Sequence, residues 1–322
     1  MRGDELTAPE PARPRLPPFG VRGRALDFVP TAVAKDIAVE WEDLGYGVVW
    51  LPEMAGRDVF VHLTHLLTAT RSMIGATGIA SMWARDAVAM SCAANALAEA
   101  FPSRLIVGIG VSHKNLVEKV RGGSYGSPLA SLTEYLAAMA AAPYRAVRPT
   151  QAAPRVIGAL GPKMLALASQ HADGAHPYLV PPEHTSRARS IMGTRALLCP
   201  DQMVVIERDR GAAREIARRR IGVYLSQPNY VRNLRGFGYD DEDFQGGGSE
   251  RLVDALVATG SVDDVVRRIR EHLDAGADHV SIQPLTSQPR GVPLGQWREL
   301  APALRELAPM ARRDQHEPRS AA

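Results

Sequence analysis

Lysine is almost missing from this chain of 322 residues, occurring only at Lys35, Lys114, Lys119 and Lys163. Arginine supplies the rest of the 38 basic side chains, against 35 acidic ones, and the formal net charge is only +3. So close a balance leaves no dense basic face, and the run Arg218–Arg220 has no interleaved aromatics, so no nucleic acid partner is expected. The two cysteines, Cys92 and Cys199, have no second Cys or His at ligand spacing. They read as small apolar groups in a reducing, cytoplasmic compartment. No run of about 18 apolar residues exists, so no membrane span is expected, and the N-terminus lacks the apolar stretch of a signal peptide. Metal-ligand patterns are equally scarce. His62 and His65 lie three apart on a helical pattern with no Glu–His zinc signature, and His171, His176 and His184 fall on different elements, so no metal is expected.

What the chain does have is apolar content, 45% of its residues, arranged in a repeating strand–loop–helix rhythm. The pattern predicts strands over 19–22, 46–51, 73–80, 104–110, 155–160, 174–179, 203–207 and 279–283. Helical periodicity fills the gaps at 31–44, 59–70, 87–100, 128–141, 162–171, 183–191, 212–225 and 262–275, with a last helix over 294–307. Short apolar strands separated by crossover helices imply a parallel sheet buried on both faces. Eight such units favour a closed α/β fold, a (β/α)₈ TIM barrel, over an open doubly wound sheet. One stretch breaks the rhythm: an insertion at 229–259, between strand seven and helix eight, reads either as a lid or dimer contact over the barrel mouth or as a solvated excursion. Residues 19–310 are expected to form the single barrel domain, between flexible tails at 1–18 and 311–322.

In such a barrel the chemistry sits at the C-terminal ends of the strands, which turns the strand reading into a list of candidates. Glu53 follows strand two, and Gly78, Ile79, Ala80 and Ser81 end strand three. Gly110, Ser112 and His113 follow strand four, Leu160, Gly161, Pro162, Lys163 and Met164 follow strand five, and His176 and Tyr178 end strand six. Glu207 and Gln283 end the last two strands. Proline at the first position of a helix leaves the amides of that first turn free, so 160–164 forms either an anion seat or a capped helix start that holds nothing. Gly108 and Gly110 would let a flat ligand approach the backbone of strand four. His113 at the mouth could move a proton near neutral pH, although a lone loop histidine is more often a solvated or structural group.

The strings LGYGVVWLPE (44–53), ATGIASMWARD (76–86) and ALAEAFPSRLIVGIGVSH (96–113) resemble those of the luciferase-like flavin and F420 oxidoreductases. ALGPKMLALA (159–168), ADGAHPYLVPPEHT (172–185) and AGADHVSIQ (275–283) extend the resemblance over about 19 to 310. GPKM and PEHT together with GVSH resemble an actinobacterial subgroup described as F420-dependent oxidoreductases. The resemblance implies a luciferase-like barrel, a homodimer formed through early helices, and F420 as the cofactor. It also implies a non-prolyl cis peptide at Gly78–Ile79 behind the deazaflavin ring, and a phosphate held by the amides of Gly161–Met164. Two departures stand out. The glucose-6-phosphate dehydrogenase relatives carry a carboxylic acid where His113 falls and a histidine where Glu53 falls, and relatives usually have an aromatic at the position of Arg22.

The expectation is therefore an F420-dependent oxidoreductase that moves a hydride between the deazaflavin C5 and a small organic substrate. His113 and Glu53 would be its catalytic acid–base pair, with the carboxylate raising the histidine pKa. Trp83, His176 and Tyr178 would be substrate contacts. An FMN-dependent monooxygenase on the same barrel is the alternative, and a non-catalytic cofactor-binding barrel a further one.

Overall fold

A computed structural model describes residues 15–314. Its strands are β1 (Phe19–Arg22), β2 (Val48–Leu51), β3 (Ile74–Thr77), β4 (Ala80–Ser81), β5 (Leu105–Gly110), β6 (Arg155–Ile157), β7 (Gly174–Ala175), β8 (Leu197–Leu198), β9 (Asp201–Ile206), β10 (Val257–Gly260) and β11 (Val280–Pro284). Between them run α1 (Thr31–Asp43), α2 (Val59–Ala69), α3 (Ala87–Ala100), α4 (Pro128–Ala140), α5 (Pro162–His171) and α6 (Pro182–Met192). These are followed by α7 (Arg210–Leu225), α8 (Pro228–Arg235), α9 (Glu250–Leu256), α10 (Val262–Asp274) and α11 (Leu294–Asp314). Helix starts follow local chemistry. Asp58, Asp86, Asp209 and Ser249 accept first-turn amides, and Ser261 with Asp264 forms a capping box, each cap contributing about 1 kcal/mol.

Every ladder is parallel. The path β9–β11–β1–β2–β3–β5–β6–β7–β8 closes on itself because β8 and β9 are one stave interrupted at Cys199–Pro200. On one side of that stave Cys199 and Asp201 donate to Ala175 and Pro177. On the other, Asp278 and Ser281 donate to Leu198 and Pro200. The alternation of strand side chains then sorts two cores. Val49, Leu51, Leu105, Val107 and Ile109 face the helices, while Val48, Trp50, Ala76, Ile106, Val156, Leu197 and Cys199 fill the barrel interior.

The expected staves are all present, with four differences. Strand three is broken, since β3 stops at Thr77 and β4 resumes at Ala80. Strands five and six are shorter than expected because the chain leaves the ladder after Ile157 and Ala175 to wall a cavity. Strand seven begins earlier, at Leu197. The segment 229–259 holds α8 and α9 and ends as β10, a parallel strand laid on the edge of β9 that β7 leaves open. Val257 continues from α9 without a turn residue, so local pattern did not announce it. Of the tails expected at 1–18 and 311–322, residues 1–14 and 315–322 lie outside the described residues. Pro17 lies at the foot of the barrel, its carbonyl 2.6 Å from His279 Nδ1, and α11 runs on to Asp314.

Gly108 is where two backbones press closest. A methyl group there would collide with the Thr77 carbonyl oxygen, beside the bond from Thr77 Oγ1 to the Gly108 carbonyl at 2.6 Å. Gly108→Ala is expected to cost on the order of 3 kcal/mol by overpacking. It should be read as a lower urea midpoint at constant slope, and an unchanged midpoint would show that β3 and β5 can part without penalty.

Candidate active site

The C-terminal strand ends open into a cavity of about 620 Å³. Of the residues nominated from sequence, Glu53, Gly78, Ile79, Ser112, His113, Leu160, Gly161, Pro162, Met164, His176 and Tyr178 line it. Gly110, Ala80, Ser81, Lys163 and Trp83 do not. The reason for Gly110 is steric: the Ile79 side chain occupies the space above it and above Gly158, so no ligand can lie on that glycine. Ala80 and Ser81 are buried in the ladder to β5. Lys163 is exposed to solvent, and Trp83 turns its indole N–H to the Val111 carbonyl at 2.8 Å.

The cavity floor is built from the barrel interior upward. His279 Nδ1 bonds the Pro17 carbonyl, so its Nε2 accepts from Trp50 Nε1 at 2.9 Å. Trp50 stacks flat on His176, rings 4.2 Å apart and 4° from parallel. His176 in turn gives Nδ1 to the Cys199 carbonyl at 2.6 Å. Burial holds its pKa down at about 3, so the ring is neutral and Nε2 is an acceptor, 3.5 Å from Arg22 Nη1. Gly78 lies on this stack: a methyl group on it would sit 3.3 Å from His176 Nε2 and 3.1 Å from Trp50 Cβ. The Gly78–Ile79 peptide is cis, as the resemblance implied.

Opposite Gly78 is the start of α5. Gly161 makes no side-chain cap, a methyl group there would meet nothing within 4 Å, and among the described residues the amides of Gly161 and Lys163 have no acceptor. Asn233 of α8 faces the same space with its Nδ2 buried and unpartnered, and Arg187 and Arg232 stand at the rim. His184, from the PEHT string, braces this corner, its Nε2 2.8 Å from the Leu160 carbonyl. Burial keeps His184 neutral with a pKa of about 4.

The expected His113–Glu53 pair is not formed. Glu53 is closed off by Arg85, which binds both carboxylate oxygens (Nη1 to Oε2 at 2.9 Å), and by the Ser81 amide at 2.8 Å. No hydrogen bond or ion pair joins it to His113. The histidine instead lies among tyrosines, its ring 5.7 Å from Tyr230 and 6.5 Å from Tyr224. Burial therefore lowers its pKa instead of a carboxylate raising it. Sequence reasoning also missed Tyr224 of α7, Asn229, Tyr230 and Asn233 of α8, and Arg22, whose guanidinium lies 4.6 Å above the Tyr178 ring and 3.2 Å from Asp201 Oδ2. Tyr224 and Tyr230, six apart, straddle the break between α7 and α8 and so share no helical stripe. Among the described residues no three His, Cys, Asp or Glu gather as a metal site, and no helix is long and apolar enough to cross a membrane.

Comparison with known proteins matches residues 19–279 to the family model described as luciferase-like monooxygenase. A Mycobacterium tuberculosis protein described as a coenzyme F420-dependent oxidoreductase is 27% identical over 214 residues, covering 53% of this chain and 62% of that protein, so the chain spans less than two thirds of that relative. Among solved structures, an F420-dependent secondary alcohol dehydrogenase with an F420–acetone adduct superposes at a TM-score of 0.70 with 13% identity, covering 89% of this chain and 97% of that one. The oxygenating constituent of 3,6-diketocamphane monooxygenase from a Pseudomonas putida plasmid, in complex with FMN, superposes at 0.69 with 13% identity over 91% and 98%. At such identities the likeness establishes the fold.

Proposed function

This chain belongs to the luciferase-like monooxygenase family, and on that premise we propose that it is an F420-dependent oxidoreductase acting on a small organic substrate. The observation that carries the reading is one continuous cavity with an aromatic-backed glycine wall at Gly78 and an unfilled set of donors at its far end. The buried Asn233 Nδ2 and the free amides of Gly161 and Lys163 match an elongated cofactor with a flat ring and an anionic tail. Bound there, F420 supplies hydride transfer at the deazaflavin C5.

The remaining chemistry belongs to this chain. Gly78, over the Trp50–His176 stack, presents a flat wall for a ring, and the α5 start with Asn233 holds the tail. Tyr178, Tyr224 and Tyr230 close the opposite side and exclude water. His113 exchanges with the substrate the proton that accompanies the hydride, and Arg85 keeps Glu53 engaged as a rigid wall. FMN is the second reading, favoured by the FMN-bound neighbour of the same fold.

Titration of the protein with F420 and with FMN separates the two, followed by the fluorescence of Trp50, which lies directly behind Gly78. The expected result is quenching by F420 with a dissociation constant at least about tenfold lower than for FMN, a difference of roughly 1.4 kcal/mol. The reverse preference would favour the oxygen-activating monooxygenase, and binding of neither would leave a barrel without a flavin-type cofactor.

A further inference from the structure

The inner wall of the cavity carries more positive charge than the chain balances. Arg22, at the end of β1, is one tenth exposed or less and lines the cavity. Its Nη1 reaches Asp201 Oδ2 at 3.2 Å and His176 Nε2 at 3.5 Å; among the described residues its buried Nε has no partner and its Nη2 enters no hydrogen bond. Behind Tyr178 stands a second guanidinium. Arg220 of α7 donates to the Tyr178 hydroxyl at 3.3 Å and lies 5.3 Å from the centroid of the Tyr224 ring. It also has a buried, unpartnered Nε and forms no ion pair among the described residues.

Among the described residues, Asp201 is the one carboxylate in contact with this pair. Its Oδ2 is shared between Arg22 and Ser281 Oγ at 2.9 Å, and the residue lies behind the wall, outside the cavity lining. Burial pushes its carboxyl upward against the pull of Arg22. Among the described residues, nothing else on the wall supplies free negative charge. Burial holds the Tyr178 phenol well above its usual range and therefore neutral, His176 is neutral, and Glu53 is taken by Arg85. Arg24, close enough to feel both arginines, adds positive charge of its own and also acts on Asp27. An uncompensated buried charge is destabilising, and an anion from outside the chain offsets that cost.

The shape of the wall adds the second half. Tyr178, Tyr224 and Tyr230 meet edge to face, with centroids 5.0, 5.3 and 6.3 Å apart. Three such rings present flat apolar surface beside the guanidinium of Arg22.

We infer that the substrate is a flat, largely apolar molecule bearing an anionic oxygen group, a carboxylate or enolate, that sits on Arg22 within the tyrosine box, the Tyr178 hydroxyl being already committed to Gln283 Oε1 at 3.0 Å. This rests on the oxidoreductase reading for what happens next, but not for the seat itself.

The test is calorimetric titration with 2-naphthoate and its neutral analogue 2-naphthamide, each with and without F420. The carboxylate is expected to bind at least about tenfold more tightly than the amide, as a charge-assisted bond in a buried site implies. F420 at saturation should leave that preference in place. Arg22→Gln should abolish it and Arg22→Lys retain most of it. Should Arg22→Gln fail to fold, Asp201→Asn removes the carboxylate that competes for Arg22. It should strengthen carboxylate binding several-fold and leave the amide unchanged. Equal affinities in the wild type, a preference that survives Arg22→Gln, or displacement of naphthoate by F420 would overturn the assignment. If naphthoate is preferred and F420 does not bind, the anion seat stands and the deazaflavin reading falls.

Discussion

Arg85→Met is expected to destabilise the protein by about 3–5 kcal/mol, far more than the loss of an ordinary surface ion pair. The side chains of Arg85 and Glu53 are 12% and 4% exposed. Without the guanidinium, the Glu53 carboxylate would keep only the Ser81 amide as a donor. Asp58 would lose a partner too, at 2.8 Å from Arg85 Nη2, although it stays nearly half exposed and still caps α2. The penalty comes mostly from the orphaned carboxylate and much less from the lost attraction, because a buried charge with no partner cannot recover its hydration. The double variant Arg85→Met/Glu53→Leu should therefore regain most of the stability. Urea unfolding of both at neutral pH is the measurement, and a single-variant loss below about 1 kcal/mol would place this pair with the solvent-screened ones.

Turnover should fall by about a hundredfold or more in His113→Gln, the range over which a positioned acid or base acts, while F420 affinity is kept. The pH profile makes the test specific. Burial lowers the His113 pKa from its ordinary 6.5, so the neutral ring that accepts a proton prevails above that lowered value and is lost as pH falls through it. The acid limb of kcat/KM should accordingly lie below pH 6.5 and disappear in the variant. Undiminished turnover, or an acid limb that persists in His113→Gln, would remove the histidine from proton transfer.

Both expectations differ from the acid–base pair that the sequence suggests, for a reason visible in particular residues. Glu53 and His113 are rightly placed at strand ends, and both face the cavity. Which group each one touches depends on Arg85, beyond β4, and on Tyr224 and Tyr230, from the far side of the barrel. Those distances run through folded space, and no spacing in the chain encodes them. The same holds for Gly110, which reads as an open glycine until Ile79 is seen lying across it. The Gly161–Met164 corner was legible because its physics is local: a proline at the first helical position and free amides follow from consecutive residues.

By itself, the sequence determined the eight strand–helix units, the helix starts, and the loops at which chemistry could sit. Apolar alternation, capping side chains and proline positions are properties of a few neighbouring residues. Only the tertiary structure decided that the stave over 197–206 closes the ring and that β10 joins the sheet. It alone brought Arg22 against Asp201, 179 positions away, and left Arg220 beside them with no ion pair of its own among the described residues. Closure of a parallel barrel brings together side chains from every stave, and the balance of buried charge is a sum over those meetings.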